Sequence, residues 1–211
     1  MQVIDLSHPF YEGMPQYREN WYSSPRVSKL IDTETGKPVI KLDIAVYSGT
    51  HIKAPRFLRS DLRSMEHISM NELLHYATVI HLGEKREKDL ITFEDLQSFY
   101  IKPKDGVIIH TGWSAFWESG QYYIDFPVIT SDAAEYLIAD RNILFLGADI
   151  PFSPEVQQIV LGNDSFLIEN LTNLDQINLN RFFLVALPLN IYSSDAAPAR
   201  VVAIENENLI I

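Results

Sequence analysis

Short apolar runs that each end at a polar loop recur along this chain and limit its choice of fold. Three such runs are Gly106-Val107-Ile108-Ile109-His110, Ile143-Leu144-Phe145-Leu146 and Phe166-Leu167-Ile168. Their length and composition are typical of buried strands. Between the runs lie helical patterns, one of which follows a capping residue at Thr130 or Ser131. Strands that alternate with short helices, together with hairpin signals, predict an α/β domain with a mixed β-sheet.

The composition indicates one domain of ordinary size. The chain has 211 residues, 46% of them hydrophobic, and no linker rich in glycine, serine or proline, so we expect a single domain over residues 1–211. No apolar run approaches the ~20 residues of a membrane helix, and Asp5 lies where a signal peptide would be basic and then apolar. We therefore expect a cytoplasmic protein with no membrane contact. The formal charge of −11 argues against a nucleic-acid partner, and the lack of cysteine excludes thiolate metal sites.

The stretch from position 45 to 58, AVYSGTHIKAPRFL, has the character of an active-site loop. Its apolar beginning predicts a strand that ends at Ser48-Gly49-Thr50, and Pro55 stiffens the chain just after Lys53. Alternation along an extended chain would place four side chains on one side: Tyr47, His51, Lys53 and Phe57. The sequence therefore predicts that His51 is displayed from a rigid segment.

This stretch resembles the signature of the metal-dependent cyclase family. The best-known members of that family are bacterial arylformamidases (kynurenine formamidases), and relatives hydrolyse isatin and other small cyclic amides. The family pattern is His-x-Gly-Thr-His-x-Asp-x-Pro-x-His, and on this chain it begins at position 47. Four of its residues match: Gly49, Thr50, His51 and Pro55. Its first His, its Asp and its last His are replaced by Tyr47, Lys53 and Phe57.

The resemblance extends over nearly the whole chain. Similar motifs occur at Asp5-Leu6-Ser7-His8-Pro9, Thr111-Gly112-Trp113, Gly147-Ala148-Asp149-Ile150-Pro151 and Glu169-Asn170-Leu171-Thr172-Asn173-Leu174. It implies the cyclase-like fold with a swivelling β/β/α core, a bound zinc or manganese ion, and a homodimer or homotetramer. It also implies that Glu169 corresponds to a metal ligand. The family's general acid and base, a histidine, is replaced here by Gln157.

These replacements change the chemistry that the chain is expected to support. A catalytic metal needs at least three protein ligands of N or O type, and only His51 and Glu169 remain. Lys53 would bring a positive charge to the position of the metal, at a cost of several kcal/mol. We therefore expect no tightly bound metal and no other cofactor. Instead, the Lys53 ammonium is predicted to reach Glu169 and neutralise it. The alternative is that Lys53 points to solvent and backbone donors satisfy Glu169.

The candidate site residues follow from these motifs. Three are expected to carry any chemistry: His51, Lys53 and Glu169. Six others are expected to contact a small-molecule ligand: Tyr47, Phe57, Gln157, Trp113, Asp149 and Trp21. Core packing is the alternative role for Trp21 and Trp113, and capping of a turn is the alternative for Asp149. We interpret His8, which could be catalytic, as a structural imidazole in a turn.

Three functions are compatible with this sequence. The first is a pseudoenzyme that binds a small molecule or a protein partner in a former hydrolase pocket. The second is a metal-free hydrolase of small amides, N-formyl compounds or lactones, with His51 or Glu169 as general base and Lys53 as the electrophilic cation. The third is a structural or oligomer-forming role, for which the apolar end Leu209-Ile210-Ile211 is a weak indication.

Overall fold

The computed structural model describes residues 1–17 and 25–206. The strands in this part of the chain are β1 (Gln2–Asp5), β2 (Arg26–Ile31), β3 (Pro38–Asp43), β4 (His51–Lys53), β5 (Leu74–His81), β6 (Leu90–Ile91), β7 (Gly106–His110), β8 (Val128–Ile129), β9 (Phe145–Ala148), β10 (Phe166–Glu169), β11 (Arg181–Pro188) and β12 (Ala196–Glu205).

The α-helices of the described residues are short. They are α1 (Met70–Leu73), α2 (Phe93–Leu96), α3 (Ser131–Glu135) and α4 (Pro154–Gly162), and α3 continues as a π-helical turn over Tyr136–Asp140. Single 3-10 turns lie at Pro55–Phe57, Met65–His67, Trp113–Phe116 and Leu174–Gln176. Helix α2 begins at a capping box in which Thr92 and Asp95 satisfy each other's backbone N–H groups, as its sequence predicts. No described helix is long and apolar enough to cross a membrane.

Eight strands form one mixed sheet that closes on itself. The strand order is β1-β12-β11-β5-β7-β9-β10-β4, and β4 also pairs with β12, so that seven strands make a closed barrel with β1 added at the side. The four strands β5, β7, β9 and β10 run parallel, whereas β4, β11 and β12 join the barrel by antiparallel pairing. This architecture confirms the predicted α/β class with a mixed sheet.

Two apolar clusters hold the domain together. One joins the helices to the outer face of the parallel strands, and the other fills the space enclosed by the barrel strands. Gly147 shows how tightly that interior is packed, because a Cβ there would lie 2.5 Å from Cδ1 of Ile108 on the neighbouring strand. The strand ends that follow this packed region are therefore held in fixed positions.

The signature stretch differs from its predicted conformation. Residues 45–47 do not form a strand, and the extended segment begins only at His51. The cause is the loop between them, where Gly49 has a left-handed φ of +62° that interrupts an extended chain. After the loop, β4 pairs with β10 on one side and with β12 on the other. His51 thus lies at the start of a buried strand instead of at the tip of a loop.

Candidate functional site

The register between β4 and β10 brings together His51 and Glu169, which the resemblance implies to be metal-ligand positions. Glu169 is the last residue of β10 and lies directly opposite His51, the first residue of β4. Residues opposite each other in an antiparallel pair share a face of the sheet, and Lys53, two residues along β4, shares that face too. Three side chains that are far apart in sequence therefore converge at the carboxyl end of a parallel strand.

Lys53 and Glu169 form a buried ion pair. The Nζ atom of Lys53 lies 2.8 Å from Oε1 of Glu169, and the two side chains are only 10% and 3% exposed. The same ammonium lies 4.8 Å from the ring centre of Phe57 and 5.7 Å from that of Tyr47, which are cation–π distances. The contact expected between Lys53 and Glu169 is therefore present, and the alternative with Lys53 in solvent is wrong.

His51 is held in one orientation and one tautomer. Its Nδ1 lies 2.9 Å from the carbonyl oxygen of Gly49, and because a carbonyl only accepts, Nδ1 carries the proton. Its Nε2 is buried, lies 3.5 Å from Oε2 of Glu169 and has no hydrogen-bond partner among the described residues. The pKa of His51 is lowered to about 4. Burial is the largest cause of this fall, the Lys53 ammonium adds to it, and the Glu169 carboxylate opposes it. The imidazole is therefore neutral at pH 7.

A second carboxylate fixes the aromatic ring beside this group. The Tyr47 hydroxyl donates to Oδ2 of Asp195 at 2.5 Å, and the Tyr47 ring meets Phe57 edge-on with centres 5.8 Å apart. Asp195 precedes β12, and its carbonyl accepts the N–H of Ala54 at 2.8 Å. Asp195 therefore holds Tyr47 against the Lys53 ammonium.

These side chains form the floor of a cavity of about 290 Å³. Its lining is mostly aromatic and apolar and consists of Tyr17, Tyr47, His51, Lys53, Phe57, Tyr123, Pro151, Phe152, Pro154, Gln157 and Glu169. All three residues predicted to carry chemistry line this cavity, as do three of the predicted ligand contacts, Tyr47, Phe57 and Gln157. The amide nitrogen of Gln157 donates to the carbonyl of Phe152 at 2.7 Å, so it supports the wall of the cavity. The roles predicted for these residues stay predictions.

Two predicted ligand contacts, Trp113 and Asp149, do not line this cavity. Trp113 is fully buried in the core, where its indole N–H donates to the carbonyl of Tyr122 at 3.1 Å. Asp149 is fully buried too, and its Oδ1 accepts from the backbone N–H and the hydroxyl of Thr111. Burial raises the pKa of Asp149. A strand-end position was not enough to bring either side chain to the cavity. A third predicted contact, Trp21, lies outside the described residues.

Sequence reasoning missed five residues of the wall, namely Tyr17, Tyr123, Pro151, Phe152 and Pro154. For three of them a signal existed, because Pro151, Phe152 and Pro154 directly follow the strand-end motif at Asp149. No pattern pointed to Tyr123, which reaches the cavity from an irregular segment between β7 and β8. His8 also lies outside the cavity and stacks on Trp117 with ring centres 3.9 Å apart, in line with its interpretation as structural.

The donor atoms at this site do not fit a tightly held divalent metal. Within residues 1–17 and 25–206, no three His, Asp or Glu side chains are placed to hold an ion together. His51 and Glu169 supply two donors, and the Lys53 ammonium lies on the carboxylate that would have to face the ion. The site is thus a compact ionic group at the end of a parallel strand of the mixed barrel.

The fold and the site together define an α/β domain with a closed mixed barrel and a buried ionic group at its cavity. The family model described as putative cyclase matches residues 4–153, and the chain belongs to this Cyclase family. Kynurenine formamidase from Bacillus mycoides is 23% identical to this chain, with 95% of this chain and 96% of that protein covered. The chain thus resembles family members that are metal hydrolases.

Solved structures agree with this membership. A structure described as a potential metal-dependent hydrolase with cyclase activity is 31% identical, with a TM-score of 0.80 and 98% of each chain covered. Isatin hydrolase A from Ralstonia solanacearum has a TM-score of 0.84 at 21% identity, with 96% of this chain and 91% of that chain covered. At that identity the second likeness establishes the shared fold alone.

Proposed function

We propose that this chain is a pseudoenzyme that binds a small planar molecule without a catalytic metal. The observation that carries the proposal is the buried ion pair between Lys53 and Glu169, with 2.8 Å between Nζ and Oε1. Lys53 stands where the pattern that this chain resembles has an Asp, and its ammonium contacts the carboxylate that the resemblance implies to be a metal ligand. In a partly dry cavity, repulsion between an ammonium and a divalent cation a few ångströms apart costs several kcal/mol. The ion pair therefore favours a metal-free site.

The proton-transfer groups support binding over hydrolysis. Gln157 replaces the histidine that serves the family as general acid and base, and an amide carries no proton at neutral pH. His51 keeps an imidazole, but burial lowers its pKa to about 4, which makes it a weak base towards water at pH 7. Neither side chain is therefore suited to take a proton from water at pH 7.

The shape and lining of the cavity indicate the chemical class of its ligand. A volume of about 290 Å³ is near the lower end of ligand pockets, which begin at roughly 300 Å³. Aromatic rings from Tyr47, Phe57 and Tyr123 form much of the wall, and flat ligands stack well on such rings. The Lys53 ammonium is a donor at the floor. We therefore propose an aromatic ligand of one or two rings with one hydrogen-bond acceptor.

Metal analysis and a binding titration test this proposal. Protein purified without chelator is expected to contain far less than one zinc or manganese ion per chain. The fluorescent probe 2-naphthoate is expected to bind and to bind more weakly to Lys53→Met, which keeps the length of the side chain and removes its charge. Stoichiometric metal together with hydrolysis of formanilide, an N-formyl aromatic amine, would overturn the proposal.

A metal-free hydrolase is the second candidate function. It is favoured by the proton-free Nε2 of His51, which lies 3.5 Å from Glu169 in a cavity whose floor also holds the Lys53 ammonium as an electrophile. Metal-free protein would then hydrolyse formanilide or a small lactam, and His51→Gln would lose that activity. This result would support a metal-free hydrolase over a pseudoenzyme. The matched control is His75→Gln, because His75 does not line the cavity.

We further propose a homodimer or homotetramer in the cytoplasm. Strands β2 and β3 pair with each other and, within the described residues, with no other strand. Their register places Val27, Lys29, Ile31, Pro38, Ile40 and Leu42 on one face, which is apolar apart from Lys29 and where Ile31 is 61% and Ile40 63% exposed. A two-stranded hairpin is marginally stable alone, so a second copy is the proposed cover. Light scattering should show that Ile40→Lys lowers the assembled mass, and an unchanged mass would count against this interface.

A further inference from the structure

Asn170, which follows Glu169 at the end of β10, has no role in the function proposed above. Its side chain is fully buried, and its backbone has a left-handed φ of +59°. Asparagine is one of the few residues with a side chain that adopts this conformation readily. A buried polar residue in an uncommon backbone conformation raises the question of what its side chain holds.

The Asn170 amide uses both of its hydrogen-bonding arms. Its Nδ2 donates to the carbonyl of Gly49 at 2.9 Å and to the hydroxyl of Tyr123 at 3.1 Å. Because the Gly49 carbonyl only accepts, the nitrogen of the amide must face it. On the other arm, the Tyr122 hydroxyl lies 3.1 Å from Oδ1. Burial raises the pKa of Tyr122 well above its usual value, so that hydroxyl stays protonated, and it shares its one hydrogen between Oδ1 and the backbone carbonyl of Asp149, 3.0 Å away.

The Gly49 carbonyl connects Asn170 to the imidazole. That oxygen accepts from both Asn170 Nδ2 and His51 Nδ1, at 2.9 Å each, so both of its lone pairs are used. The backbone carbonyl of Asn170 in turn accepts the Thr50 hydroxyl at 2.6 Å. Asn170 is therefore bonded to the loop that orients His51 and to the ring of Tyr123, which lines the wall.

We propose that Asn170 is a positioning residue that holds the His51 imidazole and the Tyr123 ring in a fixed relation across the cavity. No other neutral side chain of this size has two donors on one arm and an acceptor on the other. An aspartate fits the same backbone and volume but would present a carboxylate oxygen to the Gly49 carbonyl. That pair of acceptors repels, and it would release the loop and the ring together.

Nuclear magnetic resonance of the histidine ring nitrogens tests this role without any ligand. In the native chain His51 is expected as the Nδ1–H tautomer, and Asn170→Asp is expected to shift its Nδ1 resonance. The matched control is Asn142→Asp, an exposed asparagine with a left-handed φ of +49°, which should leave that resonance unchanged. An unchanged His51 resonance in folded Asn170→Asp would overturn the proposal.

A second variant keeps the test informative if Asn170→Asp fails to fold. Tyr122→Phe removes the hydroxyl that contacts Oδ1 of Asn170 and the backbone carbonyl of Asp149, and Tyr122 does not line the cavity. It is expected to shift the same His51 resonance by a smaller amount, and no shift would contradict the role of Asn170. This variant also leaves the Tyr123 wall chemically intact.

The consequence for ligand binding rests on the proposed function and is measured separately. Asn170→Asp should bind 2-naphthoate at least about tenfold more weakly than the native chain, whereas Asn142→Asp should bind it equally well. Equal affinity in Asn170→Asp would overturn the link between positioning and binding. If the native chain does not bind the probe while Asn170→Asp still shifts the His51 resonance, the ligand class is wrong and the positioning role stands.

Discussion

Replacing Lys53 by methionine should destabilise this protein strongly, because it leaves the Glu169 carboxylate buried without a partner. The two side chains are 10% and 3% exposed, so solvent screens their interaction little. Removal of one member of a buried ion pair typically costs about 3–5 kcal/mol. For a domain of this size, that corresponds to a fall in the melting temperature of roughly 6–20 °C. Urea unfolding followed by circular dichroism measures the free energy directly.

The double variant Lys53→Met/Glu169→Met separates the ion pair from simple loss of packing. It replaces both charges by apolar groups of similar length, and such replacements of a buried pair are often close to neutral. We expect it to be more stable than Lys53→Met alone by at least about 2 kcal/mol, which would appear as a large coupling energy in a double-mutant cycle. If the two single effects simply add, or if Lys53→Met costs less than about 1 kcal/mol, the ion pair does not have the role argued here.

Two further predictions concern metal and pH. The triple variant Tyr47→His, Lys53→Asp and Phe57→His restores the family pattern and should bind one zinc ion per chain, because all three positions line one cavity with His51. Calorimetry measures this binding, and no zinc binding would refute the geometry. Burial lowers the pKa of His8 and of His51 to about 4, so between pH 6.5 and 4 the unfolded chain binds more protons and stability falls as the pH falls. Each histidine lowers the free energy of unfolding by about 3 kcal/mol across that window. Urea unfolding at pH 7 and pH 4.5 should detect this loss, and the loss should be smaller in His8→Gln.

The sequence predicts the fold class well because that class depends on local patterns. The strand Gly106–His110 was predicted with its observed bounds, and the capping box at Thr92 is present. Closure of the sheet into a barrel was not predictable in this way, since it requires β12 to pair with both β11 and β4 at different points along its length. Its pairing with β4 joins residues more than a hundred positions apart, such as Lys53 and Ala196.

Site prediction succeeded or failed for a similar physical reason. His51 and Lys53 lie two residues apart on β4, so alternation along one strand places them on the same face, whereas Tyr47 reaches the same cavity from before the loop at Gly49. Trp113 and Asp149 lie at ends of other strands, where the backbone position is right but the side chains turn into the core. A strand-end motif gives the location of a backbone, and only packing decides which way its side chain points.

The residues at the three positions where this chain differs from the pattern it resembles interact with one another. Two are aromatic rings, Tyr47 and Phe57, and the third is a cation, Lys53. In the structure the cation lies 5.7 Å and 4.8 Å from those two ring centres and 2.8 Å from Oε1 of Glu169. Each of the three therefore interacts favourably with another of them or with Glu169, so a change at one of them is expected to disturb the others.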